Sequence, residues 1–96
     1  MGRVLRTPQA LEDLDDLWSY IARDSLAAAD RMIDQLYERF VLLSNNTELG
    51  ERQPRLADGA YRRFVFRNYV IYYVPDEAGV TIVRVLHGAR DERDLL

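Results

Sequence analysis

IVRVLHGARD, from Ile82 to Asp91, is the most informative segment of the sequence: an apolar strand leads into the only histidine, His87, and then into a glycine and a charged tail. It closes a region in which the residue pattern has a period of two. β-branched and aromatic residues with that period are typical of strands. Connections as short as those between the segments favour antiparallel hairpins. The pattern therefore predicts three consecutive strands, Tyr61 to Phe66, Tyr69 to Val74 and Val80 to His87.

Upstream of these strands the apolar residues recur with the period of a helix. Thr7 suits a helix N-cap and Pro8 its first turn, because proline lacks only a donor that would have no helical partner there. One apolar stripe runs from Leu11 to about residue 23. Asp24-Ser25 interrupts it and can cap a second helix, whose apolar stripe runs from Leu26 to Leu43. Two helices joined by so short a break are expected to run antiparallel.

These elements predict one two-layer α+β domain over residues 1–96. Arg3 to Arg6 reads as a short N-terminal strand, and Asn45 to Gly59 shows no period and reads as a loop. The apolar stripes of the helical hairpin need a cover, and one face of the sheet supplies it. The expected fold is a short N-terminal strand, an antiparallel helical hairpin and a three-stranded antiparallel meander.

Composition narrows the class of protein. The 96 residues are 48% apolar and 30% charged, which is ordinary for a soluble globular domain. The chain has no cysteine, which excludes disulfides, thiolate nucleophiles and cysteine-ligated zinc. No apolar run is long enough to span a bilayer, and Met1 to Arg6 lacks the core of a signal peptide. We expect a cytoplasmic protein that does not associate with membranes.

Charge is unevenly distributed. The net charge is −3, all thirteen cations are arginine, and residues 1–50 hold nine carboxylates against five arginines. Residues 52–67 instead hold five arginines and one carboxylate. An acidic chain with one basic patch suits a protein partner better than the coating of nucleic acid, so we expect no direct, specific nucleic-acid binding.

Two runs of carboxylates lie on the predicted helices. A metal site would need inward-facing carboxylates with a histidine or further oxygen ligands nearby, and neither run offers them. We therefore interpret both as solvated helix faces and expect no metal and no cofactor. The runs are Glu12, Asp13, Asp15 and Asp16 on the first helix, and Asp30, Asp34 and Glu38 on the second.

His87 and the arginines are the residues best suited to chemistry or binding. Histidine is the side chain best suited to general acid–base work near neutral pH, which makes His87 a candidate, although a lone histidine at a strand end is more often structural. Arg62 and Arg63 are adjacent on a strand and should point to opposite faces. Strict alternation places Arg84 on the same face as Ile82 and Leu86, with Val83 and Val85 on the other. Arg84 should then be partly buried and need an acidic partner: Asp91, Asp94 or a bound protein.

In this order and spacing, the residues resemble the ParE branch of the RelE/ParE toxins of bacterial toxin–antitoxin pairs. The resemblance extends over nearly the whole chain and implies the same fold. One departure is Thr47, where many members carry a proline. The matching segments are Asp16–Asp24, Ala28-Ala29, Leu49-Gly50, Arg55-Leu56, Gly59–Arg62, Tyr69–Tyr73 and Arg84–His87.

The resemblance implies the toxin of a type II system, with a role such as plasmid stabilisation. ParE-like members poison DNA gyrase by protein–protein binding and need no catalytic residue, so the protein is not expected to be an enzyme. A ParD-like antitoxin, whose C-terminal segment folds on binding, would neutralise it. Two alternatives stay open: a RelE-like, ribosome-dependent mRNA endoribonuclease, or an inert toxin fold that acts only in operon co-repression.

Three sets of site residues follow from this hypothesis. The target-binding set comprises Arg62, Arg63, Arg84, His87 and Arg90. The antitoxin-binding set comprises Leu14, Trp18, Ile21, Phe64 and Phe66. If the protein were a ribonuclease, its catalytic residues would be Arg62, Arg84 and His87.

Overall fold

Residues 2–88 are described by a computed structural model of the chain. It confirms the predicted α+β fold, with a short strand, two helices and then an antiparallel strand meander. The elements are β1 (Arg3–Arg6), α1 (Pro8–Ala22), α2 (Leu26–Asn45), β2 (Glu51–Arg52), a short 3-10 helix (Ala57–Gly59), β3 (Arg62–Phe66), β4 (Tyr69–Pro75) and β5 (Gly79–His87).

Both helices begin at side-chain caps. The Thr7 hydroxyl accepts a hydrogen bond from the backbone N–H of Ala10 at 3.0 Å, and Pro8 follows in the first turn of α1. The Ser25 hydroxyl accepts from the N–H of Ala28 at 3.1 Å and caps α2 in the same way. These bonds satisfy donors that have no partner within the helix, and they confirm the predicted starts of both helices. Within residues 2–88 neither helix is long and apolar enough to cross a membrane.

The sheet has five strands in the order β1-β5-β4-β3-β2. β1 pairs parallel to β5, and the other neighbours are antiparallel. The two-residue strand β2 lies within Asn45 to Gly59, which the sequence predicted as a loop. That prediction is wrong at Glu51 and Arg52, which pair with Arg63 and Arg62 of β3. Two residues are too few to show a period, so this strand could not be predicted from the sequence.

The two faces of the sheet carry separate apolar clusters. The main core joins both helices to the inner face of the sheet and includes Leu17, Phe40 and Ile82. A smaller cluster of Val70, Tyr72 and Leu86 occupies the opposite face, which we call the outer face. Because side chains alternate along a strand, Tyr72 lies on the outer face although Ile71 and Tyr73 on either side belong to the main core.

A β-bulge in β5 breaks the strict alternation that was predicted for this strand. Tyr72 pairs with Arg84 but Tyr73 pairs with Ile82, so β5 has one extra residue at Val83. As a result, Ile82 and Val85 both belong to the main core. The predicted placement of Val85 and Ile82 on opposite faces is therefore wrong, because a bulge shifts the phase of every residue beyond it.

Candidate functional site

The side chain of Arg62 forms hydrogen bonds with the loop that follows α2. Its Nη1 donates to the carbonyl oxygens of Gly50 at 2.7 Å and Glu48 at 3.3 Å. Its strand neighbour Tyr73 holds the same loop: the Tyr73 hydroxyl accepts from the N–H of Gly50 at 2.8 Å and donates to the carbonyl of Thr47 at 2.9 Å. Burial raises the pKa of the Tyr73 hydroxyl above its ordinary value, against the opposing effects of the Gly50 hydrogen bond and the Arg62 charge. Arg62 and Tyr73 thus fix the loop to the sheet.

Arg84 forms an ion pair with Asp13 of α1. Nε and Nη2 of Arg84 donate to the two carboxylate oxygens of Asp13 at 2.8 and 3.0 Å, and the backbone N–H of Val85 donates to the same carboxylate at 3.0 Å. The prediction of a partly buried Arg84 with an acidic partner is confirmed. Asp91 and Asp94, the partners predicted within the chain, lie outside the described residues. Among residues 2–88 Arg84 pairs with Asp13, which was predicted to lie on a solvated face. That interpretation is wrong for Asp13.

Asp13 has a position in the sequence that could have revealed its role. It lies three residues after Ala10 and four before Leu17, both of which are buried on the inner stripe of α1. Residues at those spacings share one helix face, so Asp13 is directed toward the sheet. The neighbouring carboxylates Glu12, Asp15 and Asp16 are exposed, as predicted.

Arg63 and Arg67 flank an open concavity on the outer face, with a volume of about 480 Å³. Arg63 pairs with Tyr72, and Val65 with Val70, so all four lie on this face. Val65 is 52% exposed and gives the concavity an apolar floor. Arg67 was not among the predicted site residues; it lies in the turn after β3 with a φ of 55°, and its guanidinium lies 5.4 Å from the centre of the Phe66 ring. The residues that line the concavity are Arg63, Val65, Arg67, Asn68, Val70, His87 and Gly88.

His87 lies at the end of β5 and is half-buried. Its ring packs edge-on against Tyr69, with ring centroids 5.5 Å apart and an angle of 88° between the planes. Its Nδ1 atom is buried, and part of the residue lines the concavity beside Gly88. Arg90, which was also predicted to bind the target, lies outside the described residues.

The three residues proposed for a ribonuclease do not come together. Arg62 of β3 pairs with Tyr73 of β4, whereas His87 of β5 pairs with Tyr69 of β4. Tyr73 and Tyr69 are about 13 Å apart along β4, and β3 and β5 are about 10 Å apart across the sheet. Arg84 is engaged with Asp13 on the side of α1. Within residues 2–88, these side chains do not surround a common reaction centre.

The five residues predicted to bind an antitoxin occupy different surroundings. Leu14 is buried in the main core, so it offers no surface in this structure. Trp18 is half-buried on α1, and its indole N–H donates to Asp30 of α2 at 2.9 Å. Ile21, Phe64 and Phe66 are partly buried against the main core. The guanidinium of Arg39, from α2, lies 4.6 Å from the centre of the Phe66 ring.

Other apolar residues are more exposed than the predicted five. On the helical hairpin the large ones are Leu11, Tyr20, Leu26, Val41 and Leu42, with exposed fractions of 38–63%. Helix periodicity alone does not identify them, because Leu11 and Leu26 begin the predicted stripes. Over the described part of the chain, no three histidine, aspartate or glutamate side chains cluster as metal ligands would.

Comparison with known proteins places this geometry in a family. The model of the ParE toxin family, the toxins of type II toxin–antitoxin systems of the parDE kind, matches residues 4–92. The curated protein Toxin RelE3 of Caulobacter vibrioides is 31% identical over 80 residues, covering 83% of this chain and 87% of the relative. The solved chromosomal ParDE toxin–antitoxin system from P. aeruginosa has the same fold: its TM-score is 0.74 at 16% identity, over 92% of this chain and 97% of that one. The chain therefore belongs to the ParE toxin family of type II toxin–antitoxin systems.

Proposed function

We propose that this toxin poisons DNA gyrase by protein–protein binding and is neutralised by a ParD-like antitoxin. Membership of the ParE family supports the proposal. The contacts of the arginines support the proposal as well. Arg62 and Arg84, the two candidates for ribonuclease chemistry, are both engaged in holding the fold together. A protein that acts by binding needs a surface and does not need a reaction centre.

The surface that we assign to the target is the concavity of the outer face. Arg63 and Arg67 flank it and Val65 supplies exposed apolar area. Arginine beside an apolar floor is a combination that recurs at the energetic centres of protein interfaces. Arg62 and Arg84 act on this surface indirectly, by holding the loop and helix that support the sheet. His87 contributes at the rim of the concavity.

The test is a gyrase supercoiling assay with the purified, antitoxin-free full chain. Loss of supercoiling with accumulation of linear, cleaved DNA is the expected result. The double variant Arg63→Ala/Arg67→Ala should raise the concentration needed for inhibition about tenfold or more, since a central interface arginine contributes more than 1 kcal/mol. Arg31→Ala, an exposed arginine on α2, is the matched control and should leave inhibition unchanged.

Absence of inhibition at micromolar protein would refute the gyrase target. A ribosome-bound transcript should then be tested for cleavage, with His87→Ala as the diagnostic variant. If gyrase is inhibited equally by the Arg63/Arg67 double variant and by Arg31→Ala, the target is right and the assigned surface is wrong.

The antitoxin is proposed to cover exposed apolar residues of the helical hairpin together with Trp18, Ile21 and the partly buried Phe64 and Phe66. A segment that folds on binding commonly anchors itself through such residues. Co-purification of the chain with a co-expressed ParD-like antitoxin tests this. Tyr20→Ser, at a side chain that is 61% exposed, should weaken the complex while leaving thermal unfolding of the free chain unchanged. An undiminished complex would exclude this helix surface.

A further inference from the structure

Two arginines lie against one aromatic ring at the end of β3. The guanidinium of Arg39, from α2, is 4.6 Å from the centre of the Phe66 ring, and that of Arg67 is 5.4 Å from the same point. The two positive charges are therefore at most about 10 Å apart, and they repel each other. A cation–π contact does not satisfy the five N–H donors of a guanidinium as an oxygen acceptor does. We call these three residues the arginine–phenylalanine cluster.

Neither arginine of the cluster has an acidic partner in the described part of the chain. Among residues 2–88, neither guanidinium forms an ion pair with a carboxylate or donates a hydrogen bond. A helix commonly pairs an arginine with a carboxylate three or four residues away. At those distances from Arg39, α2 holds Gln35, Leu36, Leu42 and Leu43. Arg39 is half-buried, so it loses part of its hydration without gaining an anionic acceptor.

The backbone of Arg67 is in a strained conformation. Arg67 and Asn68 form the two-residue connection between β3 and β4, since Phe66 pairs with Tyr69. The φ of Arg67 is 55°, a left-handed value that such turns ordinarily give to glycine or asparagine. Strain of this kind is concentrated at sites where the side chain binds a ligand or a partner. The turn therefore places a guanidinium beside Phe66 at a cost to the backbone.

We propose that the arginine–phenylalanine cluster is a carboxylate-binding site and that an acidic side chain of the antitoxin occupies it. Arginine binds a carboxylate through paired N–H donors, and the net charge of −3 disfavours a nucleic-acid phosphate as the occupant. The neighbouring surface of α2 is apolar: Val41 is 51% exposed and Leu42 is 38% exposed. An antitoxin segment can therefore place a carboxylate on the cluster and apolar side chains along the helical hairpin.

Occupation of the cluster has a consequence for the target. The existence of the antitoxin rests on the proposed function, and the cluster adds a means of neutralisation to it. Arg67 belongs both to the cluster and to the lining of the concavity that we assign to the target. A carboxylate bound to Arg67 withdraws that arginine from the target, so antitoxin and target compete for one side chain.

The test is a calorimetric titration of the antitoxin-free full chain with the separately purified ParD-like antitoxin. Arg39→Gln/Arg67→Gln should raise the Kd at least about tenfold and should make the Kd less dependent on NaCl concentration, because a charge pair is lost. Arg31→Gln/Arg55→Gln removes two exposed arginines elsewhere and should change the Kd by less than about threefold. Equal effects of the two double variants would overturn the site. If the unmodified chain does not bind the antitoxin, the proposed antitoxin fails as well; if it binds and Arg39→Gln/Arg67→Gln binds as tightly, the carboxylate site alone fails.

Two further variants separate binding from folding. Arg67→Gly should weaken the complex without lowering the Tm of the free chain, because glycine adopts a positive φ without strain. A lower Tm would show that Arg67 serves the fold and would contradict the assignment. Arg39→Glu should also weaken the complex, and one Asp→Arg or Glu→Arg change in the antitoxin should restore it. If no acidic position of the antitoxin gives this rescue, a carboxylate is not the occupant.

Discussion

Replacing Asp13 by alanine is expected to be among the most damaging changes to a charged residue of α1. The Asp13 carboxylate accepts three hydrogen bonds from β5, two from the Arg84 guanidinium and one from the N–H of Val85. The side chains of Arg84 and Asp13 are only 27% and 12% exposed. Asp13→Ala would therefore remove two hydrogen bonds from a partly buried guanidinium and one from a backbone N–H.

The magnitude follows from these contacts. A hydrogen bond to a charged group contributes about 1.5–3 kcal/mol, and removing one partner of a fully buried ion pair costs about 3–5 kcal/mol. Because Arg84 retains some access to water, we expect Asp13→Ala to lower the free energy of unfolding by about 2–4 kcal/mol. A domain of this size has only about 5–15 kcal/mol in total, so such a loss is readily measured.

Urea denaturation followed by the fluorescence of the single tryptophan, Trp18, measures this loss. Asp16→Ala on the exposed face of the same helix is the matched control and should change stability by less than about 0.5 kcal/mol. In a double-mutant cycle, Asp13→Ala and Arg84→Ala should cost less together than the sum of the two, by about 1–3 kcal/mol. If Asp13→Ala behaves like Asp16→Ala, the ion pair contributes nothing and the reasoning fails. Loss of toxin activity in Arg84→Ala should accordingly accompany loss of stability.

Three further changes test the loop and the start of α1. Burial holds the folded-state pKa of Tyr73 above 10.0, so its contribution to stability is complete below pH 10 and falls as the pH rises above 10. Tyr73→Phe should flatten that fall in urea titrations at successive pH values, and an unchanged slope would contradict the assignment. A Cβ at Gly50 would lie 2.6 Å from the Tyr73 hydroxyl, so Gly50→Ala should destabilise by about 1–3 kcal/mol, measurable by calorimetry. The Thr7 hydroxyl both caps α1 and donates to the carbonyl of Val83 at 2.8 Å. Thr7→Val should therefore cost about 1–2 kcal/mol, and a cost near zero would show that neither bond matters.

Local sequence patterns were sufficient for most of the fold. The caps at Thr7 and Ser25 and the two apolar stripes predicted both helices, because the residues that a helix buries recur at a fixed spacing in the sequence. The period of two predicted β3, β4 and β5 for the same reason. The short connections between them allowed only antiparallel pairing. The resemblance to ParE toxins likewise depended on residues in sequence order.

The partners of these elements were decided only by the tertiary structure. Asp13 and Arg84 are 71 positions apart, and a local period reports that a face is buried without reporting what covers it. The parallel pairing of β1 with β5 and the bulge at Val83 could not be predicted from local patterns either, since each depends on how distant segments of the chain pack together. This is why the sequence could propose Arg62, Arg63 and Arg84 as one binding set. The folded chain separates them: Arg62 and Arg84 bind the loop and helix that pack on the sheet, while Arg63 lines the concavity of the outer face together with Arg67.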